Sequence, residues 1–256
     1  MQRVLPETNL EQKMMCMGAV FVEENHVLDD LFEIIGSDLV DGQELQSDAK
    51  EQVLDEVAEY FFRLDMNWGR EIQADCIGIL EEYWGVKSRE QVLTTLENIR
   101  QQGHRAKFGV LKSFVPPEGP MSASNLEKFK QVFSFDFSED HPAQMVDEDY
   151  QKLAAWMQRT NKYISDCGIL GWDVARFVHL VRLSFVAGYI DDNEAWGEIL
   201  KMAPLAEGKF KDWMEFSQSF LIGRTFWSGG EDPQVKMICE RLLGHPASPW
   251  QFFSWT

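Results

Sequence analysis

The sequence predicts a mostly α-helical protein, a multi-helix globular assembly around a central apolar helix at about 171–188, with at most a minor β element. Three observations carry that expectation. Along most of the 256 residues, apolar side chains recur at spacings of three and four, the period of one helix face. Helix starts and stops follow one another in order, with Ser88 three ahead of Gln91, Asp212 three ahead of Glu215, Asp232 before Pro233, and Gly85, Gly103 and Gly244 closing periodic runs. Finally, the stretch from Gly171 to Ala187 is apolar almost all round, broken only by Asp173, Arg176, His179, Arg182 and Ser184, which suits a helix enclosed by others.

The elements follow in order. The first 25 residues give weak signals. A helix is expected from His26 to Ile35 on Val27, Leu28, Leu31, Phe32, Ile34 and Ile35, with Gly36 as its stop. A stronger one starts near Ser47 or Asp48 and ends at Gly69, with Val53, Leu54, Val57, Tyr60, Phe61 and Leu64 inward and Glu51, Asp55, Glu56 and Glu59 outward. The next runs from Arg70 to Trp84, with Ile72, Cys76, Ile79, Leu80 and Tyr83 inward, and is broken by Gly85. A capping box at Ser88 and Gln91 opens a helix that finishes at Gly103. Pro116, Pro117, Gly119 and Pro120 make residues 112–124 a connector. A short helix follows from Leu126 to Phe133, and Phe133, Phe135 and Phe137 alternate as a brief strand would. Beyond Asp147 a helix turns Tyr150, Leu153, Ala154, Met157 and Tyr163 inward. After the central helix, one capped at Asp191–Asn193 is stopped by Pro204, another opens at Asp212, and a third runs from Asp232 to Gly244. The tail, with Trp250, Phe252, Phe253 and Trp255, is aromatic enough to dock on the core.

Residues 1–70 read as an acidic N-terminal helical region and 71–256 as a helical core. The net charge of −18 is unevenly spread: residues 1–100 hold 22 Asp/Glu against 8 Lys/Arg, and the rest 20 against 16. Such a surface repels nucleic acid, which needs clustered cations, and attracts a basic protein. No run reaches the roughly 20 apolar residues of a membrane span, and no secretory leader is visible. Cys16, Cys76, Cys167 and Cys239 stand far apart and read as isolated buried thiols, consistent with a cytoplasmic location and with no metal site. Nine tryptophans, six of them from Trp172 onward, predict dense packing with a partner for each buried indole N–H.

The central helix is where polar side chains interrupt a deeply apolar element. Asp173 and Arg176 are three apart and form a local pair, whereas Arg182, further round the helix, points elsewhere. Buried charges need partners, and Arg224 on the later aromatic helix is one that could reach Asp173. Two readings stay open. In one, the charges form a network that locks helix packing. In the other, Asp173 or His179 acts as an acid–base catalyst, or His104, Arg176 and Arg224 bind a small anion. The five histidines include no pair at i, i+4, and there is no phosphate-binding loop, dinucleotide fingerprint or nucleophile elbow. No cofactor is expected.

In combination, several motifs resemble an uncharacterised bacterial family, domain of unknown function 1266. They are Trp84-Gly85-Val86 with Gly103-His104-Arg105, then Gly171-Trp172-Asp173 with Arg176, Arg182, Gly188-Tyr189-Ile190 and Glu194-Ala195-Trp196. Trp213, Gly223-Arg224 with Trp227, Ser248-Pro249-Trp250 and Trp255 complete the pattern. The similarity covers roughly Glu81 to the C-terminus. It implies a bacterial helical protein in which Asp173, Arg176, His104 and Arg224 belong to a shared framework, and it implies tyrosine where Phe220 stands. It implies no reaction.

The leading expectation is a non-catalytic, acidic protein-binding protein, such as an inhibitor or immunity protein that neutralises a basic bacterial partner, with Glu51, Asp55, Glu56 and Glu59 on the contact surface. The alternative is an enzyme or small-anion sensor built on Asp173, His179, Arg176, Arg224 and His104.

Overall fold

The computed structural model describes residues 3–35, 54–66, 72–133, 146–161, 163–164, 166–253 and 255. Among them every regular element is helical: α1 (Asn9–Met17), α2 (Ala19–Glu23), α3 (Val27–Ile35), a π-helical turn (Ala58–Phe62), α4 (Gln73–Trp84), α5 (Arg89–Gln101), α6 (Gly103–Phe114), α7 (Ala123–Phe133), α8 (Asp147–Thr160), α9 (Leu170–Val186), α10 (Asp192–Ala206), α11 (Trp213–Ser228), α12 (Pro233–Gly244) and α13 (Pro249–Phe252). The expected stops at Gly36 and Gly69, the start at Ser47 or Asp48, and a strand through Phe135 and Phe137 lie outside the described residues.

Helix α9 is the axis of the assembly. It packs against α1, α2, α4, α5, α6, α10 and α11, and from Leu170 to Phe185 only Arg176 and His179 are not fully buried. A helix touched on all sides needs apolar side chains on all sides, which is what its sequence supplies. The larger core joins α9 to residues of α1 and α2 (Met14, Met15, Met17, Val20), to Phe61 and Phe62 of the π-turn, and to the aromatic α11 and tail. A second, smaller core lies among α6, α7 and α8, around Phe108, Leu111, Phe129 and Met157, with Phe226 of α11 against it. The proline-containing stretch before α7 is held down by Gln158, whose side-chain amide donates to the carbonyls of Pro116 (2.9 Å) and Gly119 (2.6 Å).

The helix ends obey local chemistry. Ser88, Asp191, Asp212 and Asp232 each accept a first-turn N–H of the helix that follows. At Ser88 the box is looser than expected, because Gln91 reaches the N–H of Lys87 rather than of Ser88. The weak N-terminus contains a box that the sequence reading missed: Thr8 caps α1 while Glu11 returns to the N–H of Thr8 and of Glu7. Helix α6 was also missed, since Gly103 begins it rather than ending a stretch of structure. Pro204 lies inside α10, one turn from its end, where the helix can lose one N–H and still close at Ala206. The π-turn explains why adjacent Phe61 and Phe62 are both fully buried: widening the turn brings two neighbouring positions to one face. Tyr83 and Tyr163, expected inward, are 67% and 75% exposed.

The tail docks as expected. Trp213 and Trp250 stack 5.3 Å apart at 2°, and Trp255 meets Trp213 edge-on. Three buried indole N–H groups donate to carbonyls, Trp196 to that of Arg3, Trp213 to that of Phe253 and Trp250 to that of Cys16. Helices α9 and α11 cross where Gly223 faces Trp172; a Cβ on Gly223 would stand 2.2 Å from the Cβ of Trp172. Neither backbone can yield there without moving a whole helix. Gly223→Ala is therefore expected to destabilise by about 1–3 kcal/mol, as overpacked cores do, read as a lower urea midpoint with an unchanged slope.

Candidate functional site

The corner between α5 and α6 builds the site. Gly103 adopts φ 55°, which turns the chain so that α6 starts directly against α9. A Cβ at this position would lie 2.2 Å from Oδ2 of Asp173, so the missing side chain is the space the carboxylate occupies. Asp173 has no exposed surface. Its Oδ1 accepts the N–H of His104 (2.9 Å), and its Oδ2 accepts the N–H of Arg105 (3.1 Å) and Nη1 of Arg105 (3.0 Å). Asp173 thus caps α6 from a different helix, satisfying two N–H groups that no helical turn can satisfy and facing the positive end of the helix dipole.

Arg105 bridges in the other direction. Its Nη1 also donates to the carbonyl of Ile99 (2.8 Å) and its Nη2 to that of Arg100 (2.5 Å), both in the last turn of α5. One guanidinium therefore closes the end of α5 and neutralises the carboxylate that opens α6. Burial pushes the pKa of Asp173 up, while Arg176, the two backbone N–H groups and Arg105 act against it.

Arg176 lies between two indoles, 4.8 Å from the ring of Trp84 and 5.3 Å from that of Trp172. Its Nη1 is 3.9 Å from Oδ1 of Asp173 and 3.1 Å from both ring nitrogens of His104. The indole N–H of Trp172 donates to Nδ1 of His104 at 3.0 Å. Indole is only a donor, so Nδ1 carries a lone pair and the ring proton is on Nε2. Burial first, then the Arg176 and Lys107 charges, lower the pKa of His104 to about 3, so this ring is neutral at ordinary pH. Burial also brings Arg176 down to about 10, opposed by Asp173, and leaves it charged.

The other expected residues separate from this cluster. His179 stacks on Phe21 at 4.4 Å and 14°, and burial followed by the Arg182 charge lowers its pKa to about 3. Arg182, 1% exposed, donates to the carbonyl of Arg63 (2.8 Å) further along α9. Arg224 does not pair with Asp173. It donates to Oδ2 of Asp232 (3.3 Å) and lies over Trp227 at 4.9 Å. Gly223 of α11 packs against Trp172 of α9, and the next position is turned about 100° away by the helix itself. Glu51 lies outside the described residues; Asp55 is exposed, Glu56 half-buried, and Glu59 pairs with Arg63 at 2.9 Å. Phe220, where the resemblance implies tyrosine, is 1% exposed and packs edge-on against Trp172.

Sequence reasoning missed Arg105 and the two-indole sandwich of Arg176. The signal for both lay in the motif residues Trp84, Arg105 and Trp172, but only contact assigns the partners. Chemically the cluster is closed, because the Asp173 oxygens already hold three N–H donors and the His104 lone pair faces an indole N–H. No group of three or more His, Cys, Asp or Glu among the described residues is placed to hold a metal ion. None of the four cysteines is in a disulfide, and Cys16, Cys76 and Cys239 are buried. No helix among the described residues is long and apolar enough to cross a membrane.

Two outcomes follow. Asp173→Asn replaces an acceptor with a donor opposite Arg105 and strands two cations, so a loss of about 3–5 kcal/mol is expected in urea unfolding. For His104 and His179 the folded pKa lies below the ordinary 6.5. Their stabilising contribution is therefore complete above pH 6.5 and is lost as pH falls toward 3, because the unfolded chain takes up the protons that the folded one refuses. The slope is about 1.4 kcal/mol per pH unit for each ring. His179→Phe, which keeps the stack on Phe21, is expected to make the fall in unfolding midpoint between pH 6.5 and 5 shallower.

Comparison with known proteins agrees with the motifs. An Escherichia coli (strain K12) protein described as "Uncharacterized protein YbeR" is 22% identical over 169 residues, 65% of this chain. The match spans 64% of that relative's own length, just under two thirds. No solved structure matches. Residues 79–255 match the family described as "Protein of unknown function (DUF1266)", a stretch that contains Trp84, His104, Asp173, Arg176 and Arg224. The chain belongs to this family.

Proposed function

We infer that this chain is a non-catalytic protein-binding protein whose acidic exterior takes a basic protein partner, in the manner of an inhibitor or immunity protein that neutralises a basic bacterial protein. The observation that carries this reading is the closure of the Asp173 cluster. The carboxylate is fully buried and taken up by α6 and Arg105, and His179 is stacked away from it, so these two candidates do not form an acid–base pair facing a substrate. The acidic excess of the first 100 residues, by contrast, extends over exposed positions. Asp55, Asp75, Glu81, Glu82 and Glu90 are exposed, and Tyr83, beside two of them, is 67% exposed. A large ring held out among carboxylates is the residue type on which protein interfaces concentrate their energy, and the surrounding charge steers a cationic partner.

The test begins with capture of a partner from a bacterial lysate on the full chain, followed by binding kinetics with the purified partner. Replacing Glu51, Asp55, Glu56 and Glu59 together by Lys, and separately Glu81 and Glu82 by Lys, is expected to slow association by about tenfold or more at low salt and to flatten its salt dependence. The control is the reversal of Asp147 and Glu148 on α8, which is expected to do neither. Unchanged association in both acidic variants would refute the proposed surface.

A further inference from the structure

A groove of about 400 Å³ lies between α8, α11 and the start of α12, away from the Asp173 cluster. Trp156, Leu221, Ile222 and Val235 give it an apolar floor, and Arg224, Glu231, Asp232 and Lys236 line it with both signs of charge. Two residues that line it carry chemically unfinished groups. Nη1 of Arg224 is shielded from water and has no acceptor, while its Nη2 makes a long 3.3 Å bond to Asp232. A buried guanidinium N–H without an acceptor is costly, and such atoms in folded proteins call for an explanation. Glu231, exposed at the mouth, makes no hydrogen bond or ion pair among the described residues. The other charges are occupied: Asp232 caps α12 and holds Arg224, and Lys236 faces Glu240 at 3.7 Å.

The geometry points to a binding site for a free α-amino acid with an apolar side chain. A simple anion suits the groove poorly, because Asp232 and Glu231 border it and Glu24 also feels the Arg224 charge. A simple cation leaves Nη1 without an acceptor. A zwitterion satisfies both. Its carboxylate takes the guanidinium edge by a small turn of Arg224, exchanging the long Asp232 bond for a two-pronged one. Its ammonium meets Glu231, and its side chain covers Leu221, Ile222 and Val235 against the Trp156 ring. The cavity is of the size and mixed lining typical of small-molecule sites. This site is independent of the protein-binding surface proposed above.

The test is calorimetric titration and thermal shift on the full chain with leucine, phenylalanine, glycine, N-acetyl-leucine and leucinamide. Leucine and phenylalanine are expected to bind saturably and raise the melting temperature. Glycine, N-acetyl-leucine and leucinamide, each lacking one of the three recognised features, are expected to bind about tenfold or more weakly. Arg224→Gln removes the carboxylate's partner but also the Asp232 contact. Glu231→Gln, at an exposed position, is therefore the cleaner variant: it is expected to weaken leucine and leave N-acetyl-leucine unchanged. Absence of saturable binding by leucine and phenylalanine, equal binding of the blocked derivatives, or unaltered leucine affinity in Glu231→Gln would each overturn the proposal.

Discussion

A carboxylate with no contact with solvent must be balanced where it stands, and in this protein that requirement fixes the meeting of three helices. Asp173 sits in the first turn of α9, and its neutralising donors come from the first turn of α6 and from Arg105. Arg105 in turn closes the last turn of α5, so α5, α6 and α9 share a single electrostatic joint. Left unpaired, such a charge would cost several kcal/mol, and any slip of α9 along its neighbours would carry it into apolar surroundings. The joint therefore sets register as well as attachment. It also places the second core, because α6 carries Phe108 and Leu111 into the space that α7 and α8 fill.

Much of this architecture was legible in the sequence, for reasons that can be traced to individual residues. α9 announced itself because a helix touched on every side must be apolar on every side. α11 and α12 announced themselves because Asp212 and Asp232 satisfy backbone N–H groups that only a helix start leaves free. α1 and α2 did not, although Met14 to Met17 are four consecutive buried residues; an unbroken apolar run carries no period to read. α6 escaped because Gly103 serves both as the left-handed corner after α5 and as the first residue of the next helix, and a glycine after a periodic run reads as a stop. The π-turn escaped because burying Phe61 beside Phe62 violates the period on which a helix is recognised.

The site was legible to the level of residue type and no further. Polar side chains in a deeply apolar helix marked Asp173 and Arg176, and their spacing of three brought them within 3.9 Å. Partner choice across helices depends on rotational phase, which sequence spacing within one helix does not encode. Arg224 illustrates the point: one residue from the Gly223 contact, it faces Asp232 rather than Asp173. Arg105 illustrates the converse, since nothing in its own neighbourhood calls for a carboxylate until the turn at Gly103 brings Asp173 against it.

The distribution of charge takes on meaning once the committed acids are set aside. In the C-terminal part of the chain many carboxylates are tied up locally. Asp191, Asp212 and Asp232 cap helices, Glu194 and Glu198 pair with Arg89 and Lys201, and Asp173 is internal. A carboxylate that caps or pairs contributes to the fold and presents little field to a visitor. On α4 and the start of α5, Asp75, Glu82 and Glu90 are exposed and make no ion pair among the described residues, and Glu81 is held only by an exposed contact of 3.4 Å to Lys87. Surface pairs of that kind are worth little and are screened by salt, so these charges remain available to an approaching cation. Among the described residues folding thus commits many acids to caps and ion pairs at both ends of the chain, and Asp75, Glu82 and Glu90 on α4 and α5 are among those it leaves unpaired at the surface, which is what the proposed partner surface rests on.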